Sequence, residues 1–466
     1  CLIGLCIFGI RGRTGYNPIK VSAAYFCQDA FLNQLGVSPT FNLLTSVMDD
    51  MRPENKYLHL MDEQEAITKA QALLNRPGDA NVSPLAVYRH AAKADSVQQR
   101  RPNVVLIMME SMSAKFMKHF GQSETLTPFL DSLYTRSISF RNFYSAGIHT
   151  NHGLYATLYS FPAMMKRNLM KGSVIPRYSG LPTVLKENGY YNLFFMTHEG
   201  QYDNMNAFFR TNGYDEVFSQ EDYPADKVVN SFGVQDDFLY DYAIPVLNQR
   251  AATGQPFFAT LLSISNHPPY VIPPFFHPKT SEPEMQIVEY ADWALRQFFE
   301  EARKQPWFDN TIFVLEGDHG KLVGDAECEL PESYNHIPLM IYSSRIQPEE
   351  KTAFGGQVDI QPTILGLLNI DYLQNNFGVD LLKEERPCMF YTADNMVVGR
   401  NDTLLYLYNY ETQQELTYDI GNGKLNAVPM DDSFLPLKEY SFSMLQSAEF
   451  LVKHGKTLNS IPFTQQ

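Results

Sequence analysis

Cysteine is scarce in this chain, and basic charge is outnumbered. Five cysteines occur in 466 residues, at Cys1, Cys6, Cys27, Cys328 and Cys388. The count is odd and no C-x-x-C pair exists, which argues against a zinc knuckle and a dense disulfide framework. A Cys328–Cys388 bridge is left open, with nothing in the sequence to support it. Lysine and arginine total 37 against 52 aspartates and glutamates, a formal net charge of −15. That balance argues against a nucleic-acid partner, which needs a basic face. It does not exclude an anionic substrate, because a bound metal reverses the local field. No initiator methionine is present, and the opening apolar stretch CLIGLCIFGI is too short to span a bilayer. It is expected to be a strand or the stub of a transmembrane helix on an excised fragment, with Arg11 and Arg13 just beyond it. Internal repeats and low-complexity tracts are also missing. What remains is a globular composition, 44% hydrophobic and 19% charged, long enough for one large domain with appendages.

Residues 1–100 read as a separate lead segment. Ala23–Val47 has helical apolar spacing broken at Gly36 and Pro39, and Glu63–Leu74 is a helix by pattern and propensity. Asn75-Arg76-Pro77-Gly78 supplies a stop signal, and the polar stretch up to Arg101 reads as a linker. From Pro102 strands alternate with helices. Val104–Met109, Tyr191–Met196, Phe257–Ser263, Ile312–Leu315 and Leu339–Tyr342 are apolar strand candidates. Leu154–Leu158, Leu181–Asn188, Met285–Lys304 and Ile360–Leu368 are the helices between and after them. This pattern predicts an α/β domain over 101–385, a mostly parallel central sheet with helices on both faces. Over 386–466 short strands at Met389–Tyr391, Thr403–Leu407 and Leu416–Asp419 predict a small antiparallel subdomain, closed by a helix near Leu437–His454.

Three separated segments carry the chemistry: NVVLIMME ending at Glu110, IHTNHG around Thr150, and TIFVLEGDHG ending in Asp318, His319 and Gly320. The first and third are apolar runs that stop abruptly in acids, and ligands in α/β sheets gather at the carboxyl ends of strands. Glu110, Asp318 and His319 are therefore expected on one rim of one sheet. A glutamate closing a buried strand is costly unless paired or metal-bound; alone it is as readily a solvent-facing acid. Asp318-His319, between Gly317 and Gly320, is as readily a capped turn when taken alone. Thr150 precedes a helical segment, where a hydroxyl serves either as a helix cap or as a nucleophile in the positive end of the dipole. Together the four side chains suit a divalent cation of the zinc or manganese kind, which would lower the pKa of the threonine hydroxyl. His267 and His336 lie at strand ends, where a histidine binds substrate oxygens, a second metal, or only the fold. His198, in MTHEGQYDN, is a weaker case of the same kind, and His149 and His152 flank Thr150.

Taken in order, NVVLIMMES, GIHTNHGLYATLYSFP, GYYNLFFMTHEGQYDNM, NGYDEVF, SNHPPY, VLEGDHG, NHIPLMIYS, QVDIQPTILGLLNI and FGVDLL resemble the alkaline phosphatase superfamily. The branch they resemble is the sulfatase-like fold of lipoteichoic acid synthases and phosphoethanolamine transferases. The resemblance covers roughly residues 100 to 385. It implies a metal site of Glu110, Thr150, Asp318 and His319, with Thr150 as nucleophile. It also implies His267 as a substrate ligand, His198 as a second, and His336 as a substrate or second-metal ligand. The implied cofactor is one divalent ion, manganese first, with zinc or magnesium as alternatives. RGRTGYNPIKVSAAYFCQDAFLNQL resembles the connector that follows the transmembrane helices in lipoteichoic acid synthases. The implied setting is thus a catalytic domain on the outer side of the cytoplasmic membrane. One departure is informative. Sulfatases build their nucleophile in C/S-x-P-x-R, and the nearest match here, Ser160-Phe161-Pro162-Ala163-Met164, lacks the arginine, so a formylglycine arylsulfatase is not expected.

The resulting expectation is transfer of phosphoglycerol or phosphoethanolamine from a phospholipid, through a phospho-Thr150 ester, to an envelope glycan or lipid. The alternatives are a phosphodiester or sulfate-ester hydrolase on the same site, and an inactive domain that binds envelope glycans.

Overall fold

The computed structural model describes residues 2–14, 18–27, 30–52, 56–75, 87–94, 101–172 and 175–459. In chain order the strands are β1 (Tyr88–Ala91), β2 (Asn103–Met109), β3 (Ile138–Tyr144), β4 (Tyr191–Met196), β5 (Glu216–Phe218), β6 (Phe257–Leu262), β7 (Thr311–Gly317), β8 (Leu339–Tyr342), β9 (Glu349–Gly356), β10 (Tyr372–Asn375), β11 (Met389–Thr392), β12 (Met396–Arg400), β13 (Leu404–Asn409), β14 (Gln414–Asp419) and β15 (Asn426–Ala427). Eight of them form the central sheet in the order β5-β4-β6-β2-β7-β8-β3-β9. All neighbours in it are parallel except where β8 meets β7 and β3. The expected α/β fold with a mostly parallel sheet is thus observed.

The middle strand β2 shows why both faces must be covered. It is buried throughout, and its side chains alternate between two cores. Val104, Leu106 and Met108 join one hydrophobic cluster, Val105, Ile107 and Met109 the other. A strand that alternates apolar to both sides is stable only between two helical layers. The helix Pro283–Ala302 buries Ile287, Leu295 and Phe298 in the second cluster. Thr150–Tyr159 buries Leu154, Tyr155 and Leu158 in the first. Because β2 and β7 run side by side in register from Asn103↔Thr311 to Met109↔Gly317, their carboxyl ends deliver Glu110 and Asp318 to the same rim.

Strands β11–β15 form the separate five-stranded antiparallel sheet, two strands richer than the sequence suggested, because β12 (MVVGR) carries little alternation to announce it and β15 is only two residues long. The closing helix is Leu435–Lys453. The lead segment is more closely joined to the rest than its composition suggests. Helix Glu63–Leu74 packs on that closing helix, with Lys453 Nζ 3.0 Å from Glu63 Oε1. The stretch expected to be a linker contains β1, paired antiparallel with β10. The Pro77-Gly78 stop signal lies outside the described residues. Ahead of these, helices span Leu2–Arg11, Ala30–Leu35 and Pro39–Asp50, broken near Gly36 and Pro39 as the sequence implied. No helix among the described residues is long and apolar enough to cross a membrane. Cys328 and Cys388 are both free thiols, so the bridge left open above is not formed.

Candidate metal and nucleophile site

Glu110, Asp318 and His319 converge so that one ligand atom from each lies within 4.8 Å of the others. Both carboxylates are fully buried. His319 Nε2 is 3.8 Å from Glu110 Oε1 and 3.6 Å from Asp318 Oδ2. Its other nitrogen, Nδ1, lies 2.7 Å from the Gly320 carbonyl, a contact that holds the proton on Nδ1 and leaves the Nε2 lone pair facing the carboxylates. Asp318 Oδ1 accepts the backbone N–H groups of Ser111 at 2.8 Å and His319 at 2.7 Å. Its Oδ2 is buried without any hydrogen-bond partner. Glu110 Oε1 accepts from the Ser111 hydroxyl at 2.6 Å. Burial, then the neighbouring Asp318 charge, pushes the Glu110 carboxyl well above its usual range. Two buried acids side by side, one with an orphan oxygen, need a compensating cation. The donor set of two carboxylate oxygens, an imidazole nitrogen and a nearby hydroxyl fits a divalent metal.

Thr150 opens the helix Thr150–Tyr159, and its Oγ1 donates toward Glu110 Oε2 at 3.4 Å. The hydroxyl therefore sits at the positive end of a helix and at the edge of the acid cluster together. Gln357 locks this arrangement: its Nε2 donates to the Gly317 and Asp318 carbonyls at 3.1 and 2.7 Å, while its Oε1 accepts from Ala146 N–H at 2.9 Å. Gly317 and Gly320 are required by close approach. A Cβ on them would lie 2.4 Å from the Met112 carbonyl and 2.0 Å from the Ser333 carbonyl.

Above the cluster an open pocket of about 430 Å³ is lined by Glu110, Thr150, Asn151, Tyr202, Asp203, His267, Tyr270, His319 and Lys321, among others. His267 is on this wall, as the sequence implied. Its Nδ1 is 2.6 Å from the Pro268 carbonyl, its ring packs 4.0 Å from that of Phe232, and burial lowers its pKa. His198 lies one layer back. It is buried, its ring 4.6 Å from that of Tyr202, and burial takes its pKa down to about 4. His336 is placed elsewhere. Its Nε2 contacts the Arg141 carbonyl at 2.8 Å and its ring stacks on Tyr144, and it does not line the pocket. Because β8 runs antiparallel to β7, its start lies beside the ligand rim, but the His336 ring is taken up by Arg141 and Tyr144 and not by the pocket.

Four pocket residues had no sequence reading. Lys321, two residues past His319, donates to Asn266 Oδ1 at 2.7 Å and to Tyr270 OH at 3.2 Å, and burial lowers its pKa. Asp203 joins Asn151 Nδ2 at 3.2 Å and Lys171 Nζ at 2.9 Å. Tyr202 and Tyr270 complete the set. Their only sequence signal is proximity to the motifs. His149 pairs with Asp394 at 2.7 Å, so the β11–β12 turn of the C-terminal sheet reaches the pocket mouth.

This fold and rim define a class: α/β enzymes of the alkaline phosphatase superfamily, whose members are metal-dependent. A solved protein of that superfamily from Vibrio parahaemolyticus superposes with a TM-score of 0.77 at 26% identity, covering 88% of this chain and 100% of that one. The lipoteichoic acid synthase LtaP from Listeria monocytogenes matches the fold at a TM-score of 0.67 and 20% identity, over 84% of this chain and 98% of that one. The Sulfatase family model matches residues 102–370, more than half of the chain, and the protein belongs to that family. Within it the chain falls in the branch similar to lipoteichoic acid synthases. Lipoteichoic acid synthase 2 of Bacillus subtilis is 24% identical over 315 residues, which is 61% of this chain and 47% of that protein. The chain spans about half the length of the curated relatives it matches. It is an enzyme of the sulfatase family, which ranks the transferase and hydrolase readings above the inactive glycan-binding one.

Proposed function

We propose that the chain transfers a phosphoglycerol or phosphoethanolamine group from a phospholipid to an envelope glycan or lipid, through a covalent ester on Thr150. The observation that carries this reading is the Thr150 hydroxyl, 3.4 Å from Glu110 Oε2 at a helix N-terminus, beside the Glu110–Asp318–His319 cluster. A divalent cation, manganese in this reading, held by Glu110, Asp318, His319 and Thr150, would supply Lewis-acid lowering of the hydroxyl pKa and charge neutralisation at phosphorus. Thr150 Oγ1 attacks phosphorus, its bond to phosphorus forms as that to the diacylglycerol oxygen breaks, the hydroxyl proton passes through solvent to the departing diacylglycerol oxygen, and the helix N-terminus stabilises the phosphoryl oxygens. His267 and Lys321, both on the pocket wall, hold those oxygens by hydrogen bonding and charge. A hydroxyl of the acceptor repeats the displacement in the opposite sense. Water in place of that acceptor turns the same site into a hydrolase. The relatives named as lipoteichoic acid synthases support the lipid donor and a location at the outer face of the cytoplasmic membrane.

The test is peptide mass spectrometry after incubation with manganese and mixed phospholipids. A phosphoglycerol or phosphoethanolamine adduct is expected on the Thr150 peptide, lost in Thr150→Ala, which folds normally because the side chain is only half-buried. Turnover that survives in Thr150→Ala would remove this residue from the reaction. Hydrolysis of soluble phosphodiesters with no transfer to any hydroxyl acceptor would favour the hydrolase.

A further inference from the structure

A second cavity, of about 300 Å³, lies between the helix Pro39–Asp50 and the 171–204 wall of the catalytic domain. Phe41, Met48 and Ile175 give it an apolar lining, and Lys20, Arg52 and Lys171 bring three cations to it. Among the described residues that line it there is no carboxylate, although the whole chain carries 15 more acids than bases. The helix that forms one side leaves Leu43, Leu44, Val47 and Met48 exposed, Met48 at 65%. Such a row of large apolar side chains in water has a cost that an apolar partner removes.

The groove and the catalytic pocket share a wall. In the 201–204 turn Gln201 and Asn204 face the groove, while Tyr202 and Asp203 line the pocket. Lys171 lines the groove and donates to Asp203 at 2.9 Å. The lead segment is tied to this same turn. Arg13 forms an ion pair with Glu199, Lys20 N–H donates to Gln201 Oε1 at 3.2 Å, and Asn206 Nδ2 donates to the Tyr25 carbonyl at 3.1 Å. An apolar slot that carries cations and backs onto a phosphoester site has the chemistry of an anionic amphiphile.

We infer that this groove seats the acyl portion of the phospholipid donor, with the lead segment as part of the substrate site. The inference rests on the lipid-donor reading above. The phosphate end crosses the 201–204 turn into the pocket while the acyl chain lies against Phe41, Met48 and Ile175. Lys20 and Arg52 face the anionic lipid surface.

The experiment uses the whole chain with manganese, and phosphatidylglycerol and phosphatidylethanolamine analogues bearing a diazirine in mid-chain, in mixed micelles. Photolabelled peptides and the KM for long-chain and water-soluble short-chain donors are measured for the wild type, Phe41→Asp, Met48→Asp and Leu43→Asp. Leu43, on the same helix and exposed, does not line the groove. The expected result is labelling of the 39–52 peptide, competed by unlabelled lipid. KM for the long-chain donor should rise about tenfold or more in the two groove variants, with kcat, the short-chain KM and the Leu43→Asp variant unchanged. Absent labelling, or equal effects from Leu43→Asp and Phe41→Asp, would overturn the groove. A wild type that modifies Thr150 without groove labelling refutes the groove alone. One that labels in the groove but never modifies Thr150 refutes the transferase reading instead.

Discussion

Gly153→Ala should separate the nucleophile from the acid cluster without removing any reacting group. Gly153 is buried in the first turn of the Thr150 helix, and an added Cβ would lie 2.3 Å from the Asp318 carbonyl oxygen and 2.9 Å from Gln357 Nε2. The first distance is about 1 Å short of the 3.4 Å at which ordinary contact begins. Neither neighbour can give way cheaply. The carbonyl belongs to the backbone of a proposed metal ligand, and Gln357 Nε2 is held by the Gly317 and Asp318 carbonyls. The helix must therefore retreat and take Thr150 with it. A misplacement of about 1 Å costs on the order of 100-fold in rate. Overpacking costs about 1–3 kcal/mol, partly offset by the gain of about 1 kcal/mol for alanine over glycine in a helix. Net destabilisation should then be only about 0–2 kcal/mol, so the variant folds. Three of the four proposed ligands, Glu110, Asp318 and His319, lie off the helix and only Thr150 moves with it, so calorimetric titration with manganese should show an affinity within about tenfold of wild type. Turnover should nonetheless fall on the order of 100-fold. A Gly153→Ala enzyme with wild-type kcat would refute the claim that this helix contact sets the position of Thr150.

Asp318→Asn removes the negative charge at the orphan oxygen. Manganese should stabilise the wild type by about 2.7 kcal/mol at 100 times Kd, and the variant should lose most of that thermal shift and retain less metal by elemental analysis. His152 is buried with neither ring nitrogen bonded, and burial, then the His149 charge, takes its pKa to about 3. Its neutral form is favoured by folding, so the associated stability is complete above the unfolded value of 6.5 and is lost as pH falls toward about 3. His152→Phe should flatten the stability–pH curve below that point by up to about 1.4 kcal/mol per pH unit; urea melts at pH 7 and pH 5 that show the wild-type slope would refute this. Arg386 donates from Nε to Asp359 Oδ2 at 2.8 Å and from Nη1 to Tyr440 OH at 2.6 Å, all three side chains buried. Arg386→Met leaves that aspartate without its partner and should cost about 3–5 kcal/mol by denaturant unfolding; a loss below about 1 kcal/mol would contradict a tightly paired interior.

Strands that are buried on both faces announce themselves by composition. NVVLIMM and TIFVLEG can only be interior strands, and their acidic ends follow directly as one rim. Edge and polar strands do not. Glu349–Gly356 sits at the sheet edge with Glu349 and Glu350 exposed, and Ile138–Tyr144 is interrupted by exposed Arg141, so neither carries a clean apolar signal.

Local pattern was thus enough for the α/β class and the central strands, and it singled out Glu110, Thr150, Asp318 and His319 as candidates that the fold brings together. These depend on local pattern: apolar runs long enough to be buried on both faces, and acids placed at the carboxyl ends of such strands. Long-range packing sets the reversed direction of β8, the pairing of β1 with β10, and the packing of Glu63–Leu74 on the closing helix. The same holds for His336 lying away from the pocket, for Lys321 and Asp203 lining it, and for the groove on its far wall. Each of these is a contact between residues tens to hundreds of positions apart. Its energy comes from shape and burial on both partners, which neither segment encodes alone.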